Sequence, residues 1–124
     1  MEPMIIAATD ETPAVTLDAG NNNFEISGKS LPEDVTAFYD PLLDWLENYS
    51  QSPNDSTNFV FSMTYFNTAS SKMILDILMK LEEIMEDGHE MKVTWRYQED
   101  DEDMEEAGEE YADIVEIPFD QVAY

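Results

Sequence analysis

Phe59-Val60-Phe61-Ser62-Met63-Thr64-Tyr65, continuing into Phe66-Asn67-Thr68-Ala69-Ser70-Ser71-Lys72, is the stretch on which the fold turns. Its first half is nearly all β-branched, aromatic or apolar, the composition of a strand expected to be covered on both faces. Asn67 or Thr68 is placed to cap a helix. Met73, Ile74, Ile77, Leu78, Leu81, Ile84 and Met85 then recur at helical spacing, and Gly88 ends the helix as a C-cap glycine. A strand running into an amphipathic helix is half of a strand–helix–strand unit. Such units make parallel pairs with right-handed crossovers.

Downstream, Glu90 to Tyr97 alternates, with Met91, Val93, Trp95 and Tyr97 on one face. The acidic run Glu99 to Asp103 leads into a third helix with Met104, Ala107, Gly108, Tyr111 and Ala112 inward, and Ile114 to Pro118 reads as a last short strand. Upstream, Pro13 to Asp18 and Phe24 to Gly28 flank the turn signal Gly20-Asn21-Asn22-Asn23 and read as a hairpin, followed by a loop from Lys29 to Asp34. Val35, Phe38, Tyr39, Leu42, Leu43, Leu46 and Tyr49 mark the first helix. Pro41 inside it means either a kink or a fresh start capped by Asp40. The expected order is β-β-α-β-α-β-α-β. This is an α/β fold, a single domain over 13–124 with a mixed sheet and helices mainly on one face. Residues 1–12 are expected to form a flexible N-terminal tail.

Composition removes several functions. The 124 residues hold 29 Asp and Glu against 5 Lys and Arg, a formal charge of −24. A nucleic-acid binder wants a basic stripe, and anionic membrane surfaces repel such a chain. With no Cys there is no disulfide, thiolate zinc site or thiol nucleophile. No apolar run approaches the roughly 18 residues of a membrane span, and the apolar patch Met4 to Ala8 is too short for a signal peptide. A cytoplasmic protein is expected, without a cofactor or metal. High charge can signal disorder, but 43% hydrophobic residues, periodic and rich in aromatics, point to a folded domain.

The strand-to-helix junction is the candidate site, because binding loops gather at the carboxyl ends of parallel strands. Thr68, Ser70 and Ser71 place three hydroxyls in the first helical turn, with Asn67 before them and Lys72 after. Up to four backbone N–H groups lack partners there, and the macrodipole adds about half a positive charge. A phosphate attached to that turn would be well hosted. The plain alternative is that Thr and Ser simply cap the helix.

The segment Tyr65 to Lys72, together with Trp95-Arg96-Tyr97, Asp101 to Tyr111, Leu31-Pro32-Glu33 and Asp44-Trp45-Leu46-Glu47, resembles the SiaC family of bacterial regulatory phosphoproteins over roughly residues 12–122. The resemblance implies a STAS-like fold, with Thr68 as the phosphorylated residue in a family pattern Asn-Thr-Ser-Ser. Ala69 stands where the family usually has serine, which leaves the acceptor in place and bears on kinase recognition. It also implies a partner switch. A serine/threonine kinase and a PP2C-type phosphatase act on Thr68, and the unphosphorylated form binds a target such as a diguanylate cyclase.

Other readings compete. The chain could be a constitutive acidic adaptor with Thr68 only a cap, or a small hydrolase using carboxylates, or Ser70 or Ser71 with His89. The hydrolase lacks a nucleophile elbow and an orienting third group. The acidic run fails the EF-hand pattern, since Glu106 stands six places after Asp101 where Gly is required. That run reads as a helix entry that complements the dipole, or as a docking surface for a basic partner. Met79 falls off the apolar stripe of its helix and is expected to be exposed; Trp95 is expected in the core, while Trp45 is either core or an interface anchor.

Overall fold

Six strands hydrogen-bond in chain order into one sheet, and three helices lie between the later strands. The computed structural model describes residues 1–124. The elements are β1 (Met4–Ile6), β2 (Ala14–Asp18), β3 (Asn23–Ser30), α1 (Val35–Tyr49), β4 (Ser56–Phe66), α2 (Thr68–Glu86), β5 (Glu90–Tyr97), α3 (Glu102–Ile114) and β6 (Phe119–Ala123). β1–β2 and β2–β3 are antiparallel; β3–β4, β4–β5 and β5–β6 are parallel. The expected order is present with one strand added in front. The layout is compatible with a STAS-like fold.

The core lies between the helices and one face of the sheet. Val15, Leu17, Phe24, Ile26, Phe59, Phe61, Val93 and Trp95 alternate along their strands and are fully buried, as are Leu42, Ile74, Ile77 and Leu81 from the helices. Large side chains of this kind stabilise the fold by about 1.5–3 kcal/mol each when removed from water. The other face is open. Register aligns Ile5, Thr16, Glu25, Val60, Thr94 and Asp120 in one row across it, and none of them is buried. This corrects the expectation that β4 is covered on both faces. Its in-facing positions are Phe59, Phe61 and Met63; of the out-facing ones Asn58 is exposed and Val60 half-buried, and only Ser62 is buried.

Three further boundaries differ from expectation, and the alternative left open at Pro41 is decided. Residues 1–12 are not a free tail: Met4 and Ile6 pack on the core as β1, the Trp45 indole N–H donates to the Glu2 carbonyl at 2.9 Å, and the Leu31 N–H donates to the Glu11 carbonyl at 2.8 Å. Trp45 is therefore a core residue. α1 is one helix capped by Asp34, whose carboxylate accepts from the Ala37 N–H at 3.1 Å, and Pro41 lies inside it. Buried Tyr39, Leu42, Trp45 and Leu46 on both sides of the proline offset the backbone hydrogen bond it removes. β3 runs on through Lys29 and Ser30, which the sequence suggests are loop. Finally, Ile114 closes α3 and the last strand begins at Phe119, not Ile114.

Candidate functional site

A β-bulge sets up the start of α2. β3 and β4 pair one-to-one through Gly28–Met63; then Lys29 pairs with Tyr65 and Ser30 with Phe66, leaving Thr64 as an extra residue on β4. Gly28 has a φ of +106°, a conformation that glycine adopts without a Cβ penalty. The inserted residue flips the pleat. Phe66 therefore turns inward against Trp95 and Tyr111, while Tyr65 remains half exposed. Without the bulge Tyr65 would face the core, and the chain would enter α2 with its first turn rotated.

Asn67 is the cap. Its backbone is extended, and its side-chain oxygen accepts the Ser70 N–H at 2.9 Å. Its own N–H donates to the Ser30 carbonyl at 3.1 Å, tying the cap to the end of β3. The three hydroxyls of the first turn then divide. Ser70 is fully buried, accepting from the Ser30 hydroxyl at 2.8 Å and donating to the Ser30 carbonyl at 3.0 Å. The Tyr39 hydroxyl completes the chain by bonding Ser30 Oγ at 2.6 Å. Ser71 is half-buried and donates to the Thr68 carbonyl at 2.7 Å. Thr68 is exposed, and its hydroxyl makes no hydrogen bond within the protein. One hydroxyl out of three is available to chemistry.

Around it the first turn is held from three sides: Ser30 from β3, Tyr39 from α1, and Tyr111 from α3, whose hydroxyl donates to the Ser71 carbonyl at 2.8 Å. Burial raises the pKa of both tyrosines, so they stay neutral donors at physiological pH. Lys72 is exposed one turn along, beside a shallow groove whose apolar lining includes Phe66, Leu75 and Ile114. On the outward ridge of α2, Met79 is 52% exposed, as its phase demands.

The remaining candidates sort by position. His89 follows the far end of α2, so Ser70 and Ser71 lie more than roughly 20 Å from it at 1.5 Å per helical residue. That separation dismantles the Ser–His hydrolase pairing. In the acidic run, Asp101 caps α3 by accepting the Met104 N–H at 3.0 Å, and Glu102, Asp103 and Glu105 occupy the first turn, where the dipole favours them. No helix is long and apolar enough to cross a membrane. Sequence reasoning missed Ser30 as part of the site because it lies in an expected loop. Tyr39 and Tyr111 were legible as inward-facing positions, but not as anchors of α2.

Comparisons with known proteins give the family and the fold. A model described as SiaC family regulatory phosphoprotein matches residues 6–124. An uncharacterized protein of Pseudomonas aeruginosa (strain UCBPP-PA14) is 29% identical over 119 residues, spanning 96% of this chain and 94% of the relative. Apo-SiaC from Pseudomonas aeruginosa superposes with a TM-score of 0.91 at 28% identity, covering 99% of this chain and 100% of that one. SiaC in the crystal structure of the diguanylate cyclase SiaD with its activator SiaC, also from Pseudomonas aeruginosa, gives a TM-score of 0.90 at 28% identity, covering 98% and 99%. With a family model matched over nearly its whole length and a fold shared from end to end, the chain belongs to the SiaC family of regulatory phosphoproteins.

Proposed function

We propose that this chain is a non-enzymatic partner switch whose occupancy is set by the phosphorylation state of Thr68. A serine/threonine kinase adds the phosphate, a PP2C-type phosphatase removes it, and the unphosphorylated form binds and activates a diguanylate cyclase in the cytoplasm. The observation that carries the reading is the division of the hydroxyls: Thr68 is exposed and unbonded, while Ser70 is locked inside and Ser71 is engaged. The activator role is supported by the relative solved in complex with SiaD.

Phosphorylation adds about −1.5 to −2 charges and three acceptor oxygens. At the first position of α2 these meet unpaired N–H groups and the positive end of the dipole, so the domain itself tolerates them. A partner lying across Thr68 does not. Burying a dianion costs several kcal/mol. Where the partner presents acidic or apolar groups to it, desolvation and repulsion eject the partner, and about 2.7 kcal/mol already changes occupancy a hundredfold. Exchange of the ester thus suffices to switch the complex without unfolding anything.

Peptide mapping by mass spectrometry of the protein isolated from its own cells tests this reading. Phosphate on the Asn67–Lys72 peptide, localised to Thr68 and removed by a PP2C-type phosphatase, is the expected result. Phosphate at Ser71 instead, or none under any growth condition, would leave Thr68 as a cap and favour the constitutive adaptor.

A further inference from the structure

α1 and α2 pack side by side, and each connects one parallel strand to the next, so they run in the same direction. A shallow groove follows their seam. Its floor is apolar: Leu43 is half-buried and Met79 is 52% exposed. Its rims are acidic, Asp44 and Glu47 on α1 and Asp76 and Glu83 on α2, with Asp40 one turn before Asp44. The one cation lining the groove is Lys80, whose ammonium pairs with Glu47 and lies 3.2 Å from Glu83. Asp40, Asp44 and Asp76 are exposed and form no ion pair. Lys72, one turn before Asp76, closes the acidic stretch on the side of Thr68.

We infer that this seam docks a basic amphipathic helix of a partner protein. Lys80 shows the arrangement within the chain itself, a cation held between the two rims. About one turn nearer the start of both helices, Asp44 and Asp76 face the groove without one, and a partner lysine or arginine completes the pattern there. The spacing suits a helix. Asp40 and Glu47 are seven residues apart, as are Asp76 and Glu83, about 10.5 Å on each rim at 1.5 Å per residue. A helix laid along the seam brings its own side chains round on that interval, so an apolar stripe meets Leu43 and Met79 while flanking cations meet both rims. The acidic run at the head of α3 lacks such a floor: its hollow is lined by Gln98, Asp100, Asp101, Glu102 and Asp103 alone. The chain charge of −24 attracts this occupant and repels an acidic one or a second copy. Thr68 begins α2 eleven residues before Met79, about 16 Å away along the helix. Docking on the seam is thus a separate contact that does not depend on phosphorylation of Thr68.

Fluorescence anisotropy of the full unphosphorylated chain with three labelled peptides of about five helical turns gives the test. One peptide carries a leucine stripe flanked by lysines at helical spacing, the second scrambles that composition, and the third keeps the stripe with glutamine for lysine. Salt is held at about 0.15 M, where the screening length of roughly 8 Å silences distant charges but not the rims. The first peptide is expected to bind more tightly than about 100 μM and at least about tenfold more tightly than the other two. Raising salt to about 1 M weakens it. Asp44→Lys with Asp76→Lys is expected to weaken it at least about tenfold, and Met79→Ser at least about threefold. Glu106→Lys with Glu109→Lys, the same change of net charge on exposed positions of α3, is expected to leave affinity within about twofold. Amide chemical shifts are expected to move along residues 40–47 and 76–83. No binding, equal binding by the scrambled or glutamine peptide, displacement by spermine at matched charge, or an equal loss in the α3 variant would overturn the inference.

Discussion

Ser70 and Ser30, 40 residues apart and both fully buried, exchange two hydrogen bonds: Ser30 Oγ to Ser70 Oγ at 2.8 Å, and Ser70 Oγ to the Ser30 carbonyl at 3.0 Å. This pair fixes the first turn of α2 on the end of β3. Two turn hydroxyls that look alike in the sequence thereby acquire opposite duties. Ser70→Ala is expected to cost about 1–3 kcal/mol, since it removes two buried hydrogen bonds of about 0.5–1.5 kcal/mol each. Thr68→Ala is expected to fall within about 0.5 kcal/mol of wild type, as an exposed substitution that breaks no contact. Urea unfolding of both variants checks the contrast, and comparable losses would contradict it.

The cap is expected to matter in the same way. Asn67→Ala removes the acceptor for the Ser70 N–H and should lower stability by about 0.5–2 kcal/mol. Asn67→Asp keeps the acceptor and should recover most of that loss. Thermal melts followed by circular dichroism separate the two.

Gly108 is fixed by Trp95. A Cβ at position 108 would lie 2.5 Å from Trp95 Cδ1 and 2.8 Å from its Nε1, and that indole is itself held by the Met104 carbonyl at 3.0 Å. Gly108→Ala must therefore push α3 off the sheet or displace the buried ring, at a cost of about 1–3 kcal/mol despite the better helix propensity of alanine. Loss of near-ultraviolet tryptophan dichroism together with a lower melting temperature is the expected signature. An unchanged spectrum would mean that α3 sits farther out.

The buried tyrosines set an alkaline limit. Desolvation raises Tyr39 and Tyr111 above the ordinary phenol value in the folded state. A raised folded pKa keeps its stabilising contribution below the unfolded value, near pH 10, and loses it as pH climbs through the folded one. Stability should thus decline above about pH 10. Tyr111→Phe should be less stable at neutral pH, because the hydrogen bond to Ser71 is gone, yet decline less steeply in alkali. Denaturant midpoints from pH 7 to 11 measure both slopes.

Much of the fold is legible in the sequence. The α2 stripe, the alternation of β5 and the inward set of α3 come from side-chain period, and each element stands where that period puts it. Four features are hidden. Pro41 and the Met4–Ile6 strand depend on contacts from distant parts of the chain, which override local signals. The one covered face of β4 depends on which parity of positions is large, and the run of β-formers conceals it. The bulge at Thr64 leaves only Gly28, on the partner strand, as a trace. The same limit applies to the site. Helical spacing finds the turn containing Thr68, Ser70 and Ser71, but only packing tells the free hydroxyl from the buried one.

The central claim is tested most directly by titrating one diguanylate cyclase partner with three forms of this protein: unmodified, Thr68→Ala, and stoichiometrically phosphorylated at Thr68. Unmodified protein and Thr68→Ala should bind alike, and the phosphorylated form at least about a hundredfold more weakly, the equivalent of about 2.7 kcal/mol. Equal affinity for all three would contradict the account.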